Sequence, residues 1–508
     1  MSEPVLRKIP SLDALLKTEG ADTLIEAFGR TSVVAAARAV LEDLRRSIRR
    51  RQPSAPPGAE RPTESGNPGP DKTAGKSAAT VSSPRAPSAP PAASLSPDVS
   101  PETLVRHIRD HLDRKLAPSL RPAVNATGVI MHSGLGRAVL SEPAARALRS
   151  VAQGYSTLAL DLDTGRRTSR DRHVEGLLRE LTGAEAATVA NNNAAATVLI
   201  LNTLARGKEV VVSRGQLVEI GGSFRMPDVM TTSGAVLREV GTTNKTHLRD
   251  YEEALGENTG AILRVHHSNY RIVGFAEEPG IEALAALGRK RGVPVVDDLG
   301  SGALVDLKEF GLATEPLVRA SIAAGADVAC FSGDKLIGGP QSGLIVGRSE
   351  WIQRIRKNPL ARAFRCGKLT LAALEATLKL FLSPDLLTRR HPIYRMLALR
   401  TDELALRADR TAAALEKTLP ASVRLTVEDG QSQVGSGAVP VETLPSKVLT
   451  VRSPSLPAEE LSLRLRRHSP PVFARISFDA VVFDFRTVQP DEDALLVSAL
   501  AEILRQSG

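Results

Sequence analysis

The sequence predicts an α/β protein whose large domain is built on a mainly parallel sheet. Three observations lead there. Between residues 120 and 385, short apolar runs (AATVA, KEVVVS, AILRVHHS, VPVVDDL, ADVACFS and GLIVG) are spaced by helix-length segments. Several of these runs end on asparagines, carboxylates or a lysine among glycines, as strand ends facing a ligand do in such sheets. Hydrophobic residues make up 42% of 508, enough for a large core and several domains.

Residues 1–51 read as a small helical unit. Ser11 is a natural N-cap in IPSLDALL, and SVVAAARAVLEDLRRSIRRR has helical periodicity. That helix ends on Arg45, Arg46, Arg49, Arg50 and Arg51, which suit either a solvated helix C-terminus or a phosphate backbone. Residues 52–98 hold 11 of the 33 prolines and no aromatic residue, so they are expected to be a disordered tether. A connecting helix, PETLVRHIRDHLDRKL, is expected within 99–119, and the large domain within 120–385. Residues 386–508 read as a smaller α+β domain: a long helix, the strands SKVLTVR, PVFARISF and AVVFDFRTV, and a closing helix.

Bulk properties narrow the function. The net charge of +9 permits a polyanionic partner without requiring one. The two cysteines, Cys330 and Cys366, exclude a disulfide framework and fit a reducing compartment. The start, MSEPVLRKIPSLD, has no apolar signal core, and no apolar run approaches the roughly 18 residues of a membrane span. A cytoplasmic protein is the expectation.

Four stretches carry chemistry. Asn191, Asn192 and Asn193 lie between a strand and a helix of small residues, where backbone N–H groups bind phosphate; ordinary N-capping explains the same residues. VPVVDDLGSG runs a buried strand into Asp297 and Asp298, and a carboxylate there needs a cation such as a protonated pyridine nitrogen. A metal is the competing partner, but His266 and His267 offer no recognised ligand spacing. In FSGDKLIGGPQSG, Lys335 follows a strand and is flanked by glycines that leave room for a flat ring, as a lysine holding an aldehyde cofactor requires. Arg362 and Arg365 are three apart, on one face if helical, which favours an anion between them; Arg137, in HSGLGRAVL, is a third candidate. A phosphate anchor, a ring-nitrogen acid and a lysine are the parts of a pyridoxal 5'-phosphate site.

These stretches closely resemble the bacterial L-seryl-tRNA(Sec) selenium transferase family, the selenocysteine synthases. The likeness lies in NATGVIMHSGLGRA, DLDTGRRTSRDRHVE, LTGAEAATVANNNAAA, SRGQLVEIGGSFRMPDVM, HHSNYRIVGF, DDLGSGALVDL and FSGDKLIGGPQSGLIVGR, and extends over nearly the whole chain. Ser133-Gly134, His267 and Cys366-Gly367 stand where the family more often has Thr-Asn, Thr and Val-Asp. The resemblance implies a fold-type-I pyridoxal-phosphate enzyme that converts seryl-tRNA(Sec) and selenophosphate to selenocysteinyl-tRNA(Sec) through a dehydroalanyl-tRNA. It implies that Lys335 carries the cofactor, that Asp298 faces the pyridinium nitrogen and that Asn191–Asn193 lie near the cofactor phosphate. Arg137, Arg362 and Arg365 match the arginines for the selenophosphate anion, and Asp334 matches an assisting catalytic acid. It further implies an N-terminal tRNA-binding domain and a homo-oligomer of dimers, a decamer. Two rival readings are a pyridoxal-phosphate lyase acting on a small amino acid or amino-sugar acid, and a tRNA-binding protein without catalysis.

Overall fold

The computed structural model describes residues 8–50, 98–221, 224–267, 269–313, 315–439 and 441–505. The expected tether at 52–98 lies outside the described residues except for Asp98. The chain forms two compact units, Met1–Arg121 and Pro122–Gly508.

The first unit is helical. Leu12–Leu15 is capped by Ser11, whose hydroxyl accepts from the Ala14 N–H, and Glu19–Phe28 is capped by Thr18 in the same way. Arg30–Arg50 and Pro101–Leu116 complete it. Val33, Ala37 and Leu41 repeat every fourth residue on one helix, and Leu104, Ile108 and Leu112 do so on the other. These two stripes, with Leu15 and Leu24, make one core, so the helix expected as a connector closes the core of this unit. Burying each such leucine contributes about 1.5–3 kcal/mol.

The second unit contains a seven-stranded sheet and a five-stranded sheet. Strands in chain order are β1 (Val124–Ala126), β2 (Ala186–Ala190), β3 (Glu209–Ser213), β4 (Glu219–Ile220), β5 (Phe224–Arg225), β6 (Val236–Val240) and β7 (Thr259–Val265). They continue with β8 (Val295–Gly300), β9 (Val328–Ser332), β10 (Gly343–Gly347), β11 (Arg424–Ser432), β12 (Leu444–Arg452), β13 (Val472–Ser477) and β14 (Ala480–Asp484). The large sheet runs β2-β10-β9-β8-β7-β3-β6, and β10 is antiparallel to both its neighbours. The other pairings in it are parallel.

Alternation along the central strands supplies both faces of this sheet. Cys330 and Ile345 point to the core that holds the helix Asn193–Ala205, while Ala329, Phe331, Leu344 and Val346 point to the opposite core. β10 lies so near the β2–helix turn that a Cβ on Gly343 would come 2.2 Å from the Asn192 carbonyl oxygen. That close approach holds the asparagine turn against the sheet.

The small sheet runs β1-β13-β14-β12-β11. β1 is parallel to β13, with Val124 opposite Val472, so the first residues of this unit are stitched into a sheet otherwise made by residues 424–484. Beyond β1, the Gly128 N–H donates to Thr487 Oγ1 at 3.0 Å, and Ile130 and Met131 donate to the Gln433 and Val434 carbonyls. The arm leading to Arg137 is therefore anchored on C-terminal residues.

Candidate active site

Three strand ends meet on one edge of the large sheet. β2 passes through Asn191 and Asn192 into the helix Asn193–Ala205, β8 carries Asp298, and β9 ends at Ser332 just before Asp334 and Lys335. Asn192, Asn193, Asp298, Asp334, Lys335 and Arg137 line a common cavity of about 260 Å³. Parallel strands put their C-terminal ends together, and helix N-termini add N–H donors there.

Asp298 is 6% exposed. Asn193 Nδ2 donates to its Oδ1 at 2.9 Å, Thr197 Oγ1 to its Oδ2 at 3.0 Å, and the Gly300 N–H to Oδ1 at 3.2 Å. Burial pushes its carboxyl above the usual range, and these donors and the charge of Lys335 only partly oppose it. Lys335, also 6% exposed, is pushed the other way: burial, then the Arg137 charge, holds its ammonium below the ordinary lysine value, against Asp298, Asp334 and Glu315. Both groups are thus driven toward their uncharged forms. A molecule with a protonated ring nitrogen and an aldehyde fits this pair, since the first restores the Asp298 anion and the second takes a neutral amine. Asn193 Oδ1 is buried without a hydrogen-bond partner, an acceptor left for a bound molecule.

The turn after Lys335 is held from below. Tyr394 donates its hydroxyl to the Leu336 carbonyl at 3.1 Å, and His391 Nε2 donates to the Ile337 carbonyl at 2.9 Å. Gly338 (φ 67°) packs so tightly that a Cβ there would lie 2.0 Å from the His391 ring. Burial pushes His391 down to about 4, so the ring is neutral at physiological pH.

Arg137 donates through Nη1 to Asp334 Oδ2 at 2.8 Å, from a left-handed backbone position (φ 64°) that a non-glycine residue seldom occupies. Asn192 caps the following helix, accepting from the Ala195 N–H at 2.8 Å, while the Asn191 N–H goes to the Phe364 carbonyl. Asn191 is not on the cavity wall. Arg362 and Arg365 are not brought to this cavity either. They line a separate hollow of about 390 Å³ with Arg167 and Arg170, and the surrounding arginines, Arg170 first, push Arg365 below its ordinary value.

Asp297 has a closed set of partners: Arg264 Nη1 at 3.0 Å and the Ser321 hydroxyl at 2.5 Å. No group of three or more His, Cys, Asp or Glu among the described residues could hold a metal ion, so the metal alternative at this strand end finds no ligand set. Sequence reasoning missed three contributors. Thr197 was hidden in the small-residue helix, although it lies one turn after Asn193. The His391–Tyr394 support acts through backbone carbonyls, which leave no pattern. Glu315 accepts from Ser301 Oγ at 2.6 Å and lies 3.3 Å from His266 Nε2. Burial alone would raise that carboxyl, but His266 and the Ser301 and Val439 donors outweigh it and hold it low.

The L-seryl-tRNA selenium transferase family profile matches residues 123–489, and that of the selenocysteine synthase N-terminal region matches residues 6–45. An L-seryl-tRNA(Sec) selenium transferase of Alkaliphilus metalliredigens is 50% identical over 387 residues, 76% of this chain and 83% of that one. One of Geotalea daltonii is 44% identical over 500 residues, covering 98% of this chain and 99% of the relative. Among solved structures, a D-glucosaminate-6-phosphate ammonia-lyase superposes with a TM-score of 0.54 at 21% identity, over 78% of this chain and 98% of that one, and so shares the fold. The chain belongs to the L-seryl-tRNA selenium transferase family.

Proposed function

We propose that the protein converts L-seryl-tRNA(Sec) and selenophosphate to L-selenocysteinyl-tRNA(Sec) and phosphate, with pyridoxal phosphate held at Lys335. The observation that carries this reading is the pair Lys335 and Asp298, buried on one cavity and each driven toward its neutral form. Lys335 would hold the cofactor aldehyde and Asp298 would pair with the ring nitrogen, with Asn192 and Asn193 on the wall beside them. When bound, pyridoxal phosphate supplies an electron sink for charge developing at the seryl Cα.

The remaining work falls to the chain itself. A lysine held below its ordinary value takes the Cα proton readily and returns one where it is needed. Asp334 fixes the Arg137 guanidinium at the cavity wall, where its other N–H groups can meet the phosphate of selenophosphate. Arg362 and Arg365 lie in a second cluster of positive charge, which would serve the same anion if copies of the chain assemble with that hollow facing a neighbour's Lys335 cavity. In the first unit, Arg45, Arg46 and Arg49 are exposed along one helix end and suit the tRNA backbone.

The test is incubation of purified holoenzyme with seryl-tRNA(Sec) and selenophosphate, followed by analysis of the amino acid released from the tRNA. Selenocysteine is expected. Turnover of free serine or an amino-sugar acid, with seryl-tRNA(Sec) left unchanged, overturns the reading in favour of a lyase.

A further inference from the structure

A second cavity, of about 340 Å³, opens at the ends of β3, β6 and β7 and shares His266 with the Lys335 cavity. Its two arginines are each met by a carboxylate, and its three glutamates, Glu277, Glu278 and Glu315, leave no positive excess. Arg264 meets Asp297 at 3.0 Å, Arg271 meets Glu442 at 3.5 Å, Glu278 accepts from Gln216 at 3.0 Å, and Glu315 meets His266 at 3.3 Å. A cavity with both arginines paired and three carboxylates on its wall does not select an anion; it suits a neutral, polar, partly aromatic ligand.

One wall is an aromatic pair held rigid. The Gly215 carbonyl accepts from His267 Nε2 at 2.8 Å and also from the Tyr270 hydroxyl. The two rings meet edge to face, with centroids 4.9 Å apart. Rings pinned to one carbonyl lose little freedom when a base stacks on them. Thr242, Thr243 and Asn244 also line the cavity and add hydroxyl and amide groups to its wall.

We infer that this cavity takes the 3'-terminal nucleoside of the aminoacylated RNA, its base against Tyr270 and its ribose toward His266. The inference rests on the proposed reaction: an amino acid presented to Lys335 is esterified to that ribose, so the nucleoside must occupy space adjoining the Lys335 cavity. Single-stranded RNA ends are commonly read by stacking on aromatic side chains.

A thermodynamic cycle on the full-length holoenzyme tests it, with tRNA(Sec) ending in its terminal adenosine and the same tRNA lacking that nucleoside. The native enzyme is expected to bind the complete tRNA about tenfold more tightly, the scale of one stacked base. Tyr270→Ala should abolish the difference, and Tyr270→Phe should keep it. Thr243→Trp, an exposed position on the cavity wall, should abolish it too and covers the case in which Tyr270→Ala fails to fold. Discrimination unchanged in both Tyr270→Ala and Thr243→Trp, or absent from the native enzyme, overturns the inference. So does a raised KM for selenophosphate in Tyr270→Ala with tRNA discrimination retained. Selenocysteine still formed in those cases leaves the proposed reaction standing, whereas no tRNA binding at all and no selenocysteine formed sinks both.

Discussion

At the Lys335 cavity the charges are few, mostly buried and of both signs, whereas at the hollow beside Arg365 five arginines gather, of which Arg356 is already paired with Asp171 and Glu175. Lys335 and Asp298 are moved toward neutrality chiefly by loss of water. Arg365 is moved by its like-charged neighbours. The first arrangement suits proton transfer, because both protonation states lie within reach. The second cannot change protonation state in practice, and the repulsion around Arg365 would be eased by an anion. Adjacent Asp297 and Asp298 show the same contrast within one strand: Asp297 is closed off by Arg264 and Ser321, and Asp298 opens on the cavity.

The largest effect is expected of Lys335→Ala. It should lower turnover by at least about 10³-fold, and borohydride should no longer fix pyridoxal phosphate to the chain, while the thermal midpoint stays near that of the parent. Covalent fixation that survives the substitution would assign the amine to another residue.

Next in size is the support beneath the lysine turn. His391 is held near 4 in the fold, against an ordinary value of 6.5, so between those pH values the unfolded chain binds a proton that the fold refuses. Stability therefore falls as pH drops from about 6.5 to about 4, by an amount on the order of 3 kcal/mol from this one site. His391→Gln, which keeps an N–H for the Ile337 carbonyl, should remove that part of the slope when thermal midpoints are compared at neutral and acidic pH. An undiminished slope would mean that other groups carry the acid sensitivity.

The smallest effect belongs to the arginine hollow. Arg362→Ala or Arg365→Ala should each raise the KM for selenophosphate roughly fivefold, because exposed ion pairs contribute about 1 kcal/mol. The difference from the parent should shrink as salt is added, whereas the Lys335→Ala defect should not. Salt-independent losses at both places would erase the distinction between them.

Much of this was legible in the chain. Six of the seven strands of the large sheet were apparent as apolar runs, because strands buried on both faces read as continuous hydrophobic segments. β6 escaped because VLREV lies at the sheet edge, partly exposed and charged, and β1 because three residues leave no periodicity. Lys335, Asp298 and Asn193 could be anticipated because strand ends converge in any parallel sheet. The separation of Arg137 from Arg362 and Arg365 could not, since it depends on the tertiary placement of segments far apart in the chain. Nor could the help of His391, whose contact with the Ile337 carbonyl spans 54 positions of chain.

The stitching of β1 to β13 has a consequence for synthesis. Arg137 leaves the ribosome early, but the partners that fix its arm, Gln433, Val434, Val472 and Thr487, emerge only near the end. The Arg137 corner of the Lys335 cavity is thus the last part to mature. A nascent or prematurely terminated chain carries the lysine and its aspartate without the arginine locked beside them.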